Sequence, residues 1–155
     1  MSLTIAFEND PAVKRRIQEA ITARLPQWFG RPDSNRHYAE QAEVSPAWVA
    51  KLDGQEVGLL VLKRHGDFSA EIYWIGIDPA YHRHGVGRAL VDAVCRVLIQ
   101  ENRKLLFAFS LHPDDPDEHY RRTRRFYEGV GFFLAVPEHG DPKDPMAWFV
   151  KVLAK

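Results

Sequence analysis

The sequence holds one cysteine, Cys95, among 155 residues. No internal disulfide can form, so stability has to come from a packed core. Long apolar runs are also missing. Stretches such as Gly58–Leu62 are strand-sized, far short of the ~20 residues a membrane-crossing helix needs. Net charge is absent, because 21 basic and 21 acidic side chains cancel. That balance argues against a general nucleic-acid binder, which carries a net basic surface. No repeat or low-complexity tract interrupts the chain, and its first residues lack the charged-then-apolar pattern of a signal peptide. These absences lead to the expectation of a single domain over residues 1–155, cytoplasmic, with neither membrane nor nucleic acid as partner. A chain of this length can bury roughly two-thirds of the surface its unfolded form exposes.

What is present is a change of hydrophobic period along the chain. A strand over Leu3–Phe7 leads to Asp10-Pro11, a helix start, and Val13, Ile17, Ala20, Ile21 and Leu25 then recur at helical spacing until Pro26. Gly30, Pro32 and Asn35 mark Trp28–Ala42 as a loop holding a short helix over Arg36–Gln41. Two strands, Trp48–Leu52 and Glu56–Lys63, flank the turn Asp53-Gly54, and a third covers Ala70–Ile77. After Gly85 the helical period returns at Val86, Leu90, Val94, Val97, Leu98 and Glu101. Lys104–Leu111 is apolar enough for a strand covered on both faces. His112–Glu118 reads as a loop, Arg121–Val130 as a helix closed by Gly131, and Phe132–Val136 and Ala147–Leu153 as strands around the Pro-rich loop Pro137–Pro145. The order βααβββαβαββ predicts an α/β fold, a mixed sheet with helices on both faces.

The segment Pro79–Leu90, PAYHRHGVGRAL, joins a strand end to a helix start. Glycines at 85 and 87 let the backbone approach a ligand, and the first amides of the helix carry the positive end of its dipole. Such a site suits an anion, and a pyrophosphate above all, with Arg83 and Arg88 adding charge. The spacing matches neither GxGxxG nor the GK[ST] ending of a P-loop. His82 and His84 are two apart in the loop, but no third ligand stands at a familiar metal spacing, so no metal is expected.

Two segments together point to a family. Glu71–Leu90, EIYWIGIDPAYHRHGVGRAL, resembles the signature of the GNAT superfamily of acetyl-CoA-dependent N-acetyltransferases, a strand followed by Q/R-x-x-G-x-G/A opening a helix. Thr123–Phe132, TRRFYEGVGF, is similar to that family's second segment, A-x-x-[FL]-Y-x-x-x-G-F. One departure stands out, His82 where the family has Gln or Arg. The resemblance implies a central, mostly antiparallel sheet of about seven strands with a splayed pair, and acetyl-CoA as acyl donor. It places the pyrophosphate on amides around His82, Arg83, His84, Gly85, Val86, Gly87 and Arg88, and the pantetheine arm along Ile75, Gly76 and Ile77. It implies Tyr127 as acid toward the departing thiolate, the alternative being a core tyrosine. Glu71 matches the strand glutamate that some members use as general base, the alternatives being an edge carboxylate that faces solvent or one paired with an arginine. Trp28, Phe29 and Tyr73 are candidate walls of an acceptor pocket, or core. Arg121–Arg125 reads as a solvated helix face, and Cys95 as a packing residue. The implied reaction is acetyl transfer to a primary amine of a small molecule or peptide, by a monomer or homodimer. The alternatives are a non-catalytic acyl-CoA-binding module and an enzyme using a longer acyl-CoA.

Overall fold

The computed structural model describes residues 2–111, 118–137 and 146–154. Its elements are β1 (Leu3–Glu8), α1 (Pro11–Ala23), α2 (Pro32–Val44), β2 (Ala47–Leu52), β3 (Gln55–His65), β4 (Ser69–Ile77), a 3₁₀ turn (Pro79–Tyr81), α3 (Val86–Gln100), β5 (Leu105–Leu111), α4 (Glu118–Gly129), β6 (Phe133–Pro137) and β7 (Met146–Val152). The seven strands hydrogen-bond in the order β1-β2-β3-β4-β5-β7-β6. Ladders β1–β2, β2–β3, β5–β7 and β6–β7 are antiparallel, while β4–β5 is parallel over Ser69–Ile72. The α/β class and the predicted element order hold. The chain forms two compact units, Met1–Lys63 with Tyr73–Arg96, and Arg64–Ile72 with Val97–Lys155.

In the first unit, Asp10 caps α1, its Oδ1 accepting from the Ala12 and Val13 amides at 2.9 and 3.4 Å, with Pro11 in the first turn. The helix then buries Ile17 and Ile21, followed by Leu25, against Val49, Leu59, Val61 and Trp74. Each of these aliphatic side chains contributes roughly 1.5–3 kcal/mol by leaving water. The β2–β3 hairpin turns at Asp53 and Gly54, both at positive φ (51° and 83°), and closes with Leu52 opposite Gln55. Val57–Leu62 is buried throughout. While Leu59 and Val61 meet the α1 cluster, Gly58 faces α3. A Cβ at Gly58 would lie 3.1 Å from Val86 Cγ1 and 3.2 Å from Leu90 Cδ1. Glycine there lets α3 settle onto the strand.

In the second unit, α4 ends in a Schellman arrangement. Gly131 takes φ 101°, its amide donates to Glu128 O at 3.1 Å, and the Phe132 amide donates to Tyr127 O at 2.9 Å. The rings of Tyr127 and Phe132 meet at 5.2 Å, the apolar contact that accompanies this helix stop. The buried Phe149 of β7 stacks on Tyr127 at 6.2 Å.

Four expectations change. The second helix is 13 residues long, Pro32–Val44, where a short piece over Arg36–Gln41 was expected, because Pro32 starts it. Strand β5 is unevenly covered: Leu106, Ala108 and Ser110 are buried, Leu105 and Phe107 are half-buried, and Phe109 is 40% exposed. The buried stripe of α3 is Val86, Leu90, Val91, Val94, Cys95 and Leu98, with Val97 half-buried and Glu101 beyond the helix end. Among Arg121–Arg125, Arg124 is buried, so the face is not wholly solvated. The expected loops fall mainly on residues 112–117 and 138–145, outside the described residues.

Candidate active site

The strand-to-helix loop is built around a buried carboxylate. Asp78, 3% exposed, accepts the Ala80 amide at 3.0 Å, forms an ion pair with Arg24 at the end of α1, and donates its own amide to Val57 O at 2.8 Å. After the 3₁₀ turn the backbone takes φ 67° at Arg83 and 76° at Gly85. Arginine in the left-handed region costs about 1 kcal/mol, a strain that concentrates at functional segments. A Cβ at Gly85 would meet nothing within 4 Å, so φ and not crowding selects glycine. The first α3 bond runs from the Ala89 amide to Gly85 O at 3.0 Å. The amides of Val86 and Gly87 therefore precede the helical ladder and have no acceptor within it. His82, Arg83, His84, Gly85 and Arg88 are exposed. Two left-handed residues and a helix N-terminus in one exposed stretch form a site that fits phosphate oxygens.

The two loop histidines do not converge. His82 Nε2 lies 2.9 Å from Ile77 O, with its ring edge-on to Trp28 at 6.1 Å, while the His84 ring meets Tyr81 at 6.2 Å. Phe29 tilts over Trp74 at 5.4 Å, and both Trp28 and Phe29 are half-buried against the α1 cluster. Tyr73, also half-buried, has Tyr38 at 5.4 Å, His37 at 6.3 Å and the Lys63 ammonium 4.0 Å above its ring. Asp33, Ser34, His37 and Tyr38 line a cavity of about 300 Å³. His37, Tyr38 and Lys63 had not been singled out from sequence. Their signal was Pro32-Asp33, which starts the helix carrying two of them.

In the second unit Glu71 is on the part of β4 that pairs with β5, directly opposite Phe107. Its Oε1 lies 2.9 Å from His65 Nε2, so its partner is a histidine where an arginine had been the alternative. Tyr127, 4% exposed, is packed among Phe126, Phe132 and Phe149 with centroids 5.2–6.2 Å away.

The sequence matches the family profile of the acetyltransferase (GNAT) domain over residues 43–133, more than half of the chain. The chain belongs to the GNAT acetyltransferase family. It is accordingly an acyltransferase. A GNAT-family protein from Desulfovibrio desulfuricans superposes with a TM-score of 0.83 at 19% identity, over 99% of this chain and 100% of that one. The Escherichia coli ribosomal-protein-S18-alanine N-acetyltransferase gives 0.73 at 18%, over 99% and 96%. An aminoglycoside 6'-N-acetyltransferase complexed with coenzyme A gives 0.70 at 17%, over 100% and 98%. At these identities the likeness is one of fold. No curated protein sequence matches significantly.

The predicted residues divide between the two units. Ile75, Gly76, Ile77, Trp28, Phe29, Tyr73 and the 82–88 loop belong to the first unit, Glu71 and Tyr127 to the second. Gly76 is fixed by packing: a Cβ there would lie 2.4 Å from the Trp74 ring. Sequence reasoning also did not place His65 at the site. Its signal is visible only once β3 and β4 are in place, since the turn between them brings positions six apart into contact.

Proposed function

We propose that this GNAT protein transfers an acetyl group from acetyl-CoA to a primary amine of a small molecule or peptide, by direct attack of the amine on the thioester. The loop before α3 carries this reading, through left-handed backbone at Arg83 and Gly85 ahead of an open helix N-terminus. Residues His82–Arg88 hold the pyrophosphate, mainly through backbone amides, and the side chains of Arg83 and Arg88 supply positive charge. Ile75–Ile77 present strand backbone to the pantetheine arm. Because Ile77 O already accepts from the His82 ring, docking of the arm at that carbonyl requires the imidazole to turn away.

When bound, acetyl-CoA supplies the activated acyl group. The remaining work belongs to the chain. Glu71 takes a proton from the amine nitrogen through a carboxylate that is only 13% exposed. Tyr127 gives its hydroxyl proton to the departing sulfur, from a ring shielded by Phe126, Phe132 and Phe149. Trp28, Phe29 and Tyr73 orient the acceptor, with His37 and Tyr38 joining Tyr73 from α2.

The test is thiol release from acetyl-CoA across pooled primary amines. The expected result is turnover with at least one pool and a loss of about a hundredfold in Glu71→Gln. Tight CoA binding without transfer to any amine, or a preference for propionyl- or succinyl-CoA, overturns it.

A further inference from the structure

We infer that His65 is a positioning residue that decides which oxygen of Glu71 meets the acceptor's proton; the inference rests on the reading of Glu71 as the base. Nε2 of His65 lies 2.9 Å from Oε1 of Glu71. A carboxylate only accepts, so this contact assigns a ring proton to Nε2. Oε1 is the oxygen held by the ring, and Oε2 is the one that takes the substrate proton. The imidazole is 53% exposed and the carboxylate 13%. The pair thus presents the histidine to water and keeps the glutamate mostly out of it.

The surroundings are arranged to hold that contact. His65 is the last residue of β3, and Gly66 at φ 54° turns the chain toward β4. Arg103 Nη1 donates to Gly66 O at 3.0 Å and to Ser69 O at 2.7 Å. Phe68 O, at the tip of the same turn, accepts the amides of Lys104 and Leu105 at 2.7 and 3.1 Å. Four hydrogen bonds from one short segment therefore brace the turn whose two flanks carry His65 and Glu71. The nearby guanidinium groups have a carboxylate of their own. Arg64 grips Glu101 in a two-pronged pair at 2.9 and 2.7 Å, and Arg103 Nε reaches the same carboxylate at 2.9 Å. On the other side, Glu71 has the apolar Phe107 opposite it in register. The turn fixes Glu71 with a neutral-capable ring where an arginine would have held it as a permanent ion pair and weakened it as a base.

The experiment compares His65→Phe, His65→Gln, Glu71→Gln and the double variant His65→Phe/Glu71→Gln, using acetyl-CoA and the amine pool with the fastest turnover. His65→Phe is expected to lower kcat about tenfold with the KM for acetyl-CoA and the unfolding midpoint unchanged. His65→Gln, whose side-chain amide still donates, is expected to restore most of the loss, and the double variant to be no slower than Glu71→Gln alone. Without any acceptor, ¹⁵N imidazole spectra should show the Nε2-protonated tautomer in the wild type and a mixture in Glu71→Gln. Equal slowness of the Gln and Phe variants, a further loss from His65→Phe on the Glu71→Gln background, or an unchanged tautomer overturns the inference. Wild-type turnover by Glu71→Gln overturns the base reading itself. A slow Glu71→Gln beside an unaffected His65→Phe overturns only the role of His65.

Discussion

Gly85 and Gly131 sit at opposite ends of helices, and the two segments around them use glycine for different ends. Gly85 lies in an exposed loop, at φ 76°, just before α3. Gly131 lies just after α4, at φ 101°, where Phe132 folds back onto Tyr127. In the first case the left-handed turn frees amides from the helix for an outside acceptor. In the second it consumes carbonyls within the helix and locks an aromatic contact. Two stretches of equal weight as sequence signatures thus differ in physical content, one leaving helix-start amides ahead of the ladder and the other shaped by its own packing.

Substitutions in the two segments should therefore separate cleanly. The largest effect is expected from Phe132→Ala. Removing a ring that is 3% exposed should lower unfolding free energy by about 3–5 kcal/mol, measured by chemical denaturation. Loss of CoA affinity without loss of stability would break the distinction. Gly87→Glu should do the reverse. Bulk and negative charge at the opening of α3 should weaken CoA binding about a thousandfold, ~4 kcal/mol, by calorimetry, with the unfolding midpoint nearly unchanged. Tyr127→Phe sharpens the comparison from inside the packed segment. Turnover is expected to fall about a hundredfold, while CoA affinity holds and stability changes by less than about 1.5 kcal/mol. Equal turnover would leave Tyr127 a core ring.

The smallest expected effect is on acid stability, and it should appear in both units. The Arg16 guanidinium holds the Glu56 carboxyl below its ordinary value of 4.5, and Arg64, with Arg103, holds Glu101 below it likewise. A carboxyl depressed in the folded state contributes stability that is complete above its unfolded value and lost as pH falls through the folded one. The thermal midpoint should accordingly fall below pH ~4.5, less steeply in Glu101→Gln. An identical slope in that variant would show the pair to be inert.

Much of the fold was legible because periodicity survives wherever one face is buried. Element order, the Asp10 cap, the Asp53-Gly54 turn and the Gly131 stop all follow from local chemistry. The extent of α2 was not, since Asn35, Arg36 and Glu40 give it little apolar stripe and only Ala39 and Ala42 are buried. The uneven cover of β5 was hidden for the opposite reason. Phe107 and Phe109 are apolar whether covered or not, and a run of such residues does not tell one covered face from two. At the candidate site, loop and helix start could be read from glycine spacing. The contacts of His65, Tyr38 and Lys63 depend on register and helix rotation, which sequence spacing alone does not fix.

Asp78 gives the loop a property that its glycines cannot. This one residue links the end of α1 and the 3₁₀ turn through its carboxylate and, through its backbone amide, the neighbouring strand β3. It works as a hinge pin shared by three elements. The loop's shape is then inherited from the helix and strand it is pinned to, and a change near Arg24 would be felt as a displacement at Gly85.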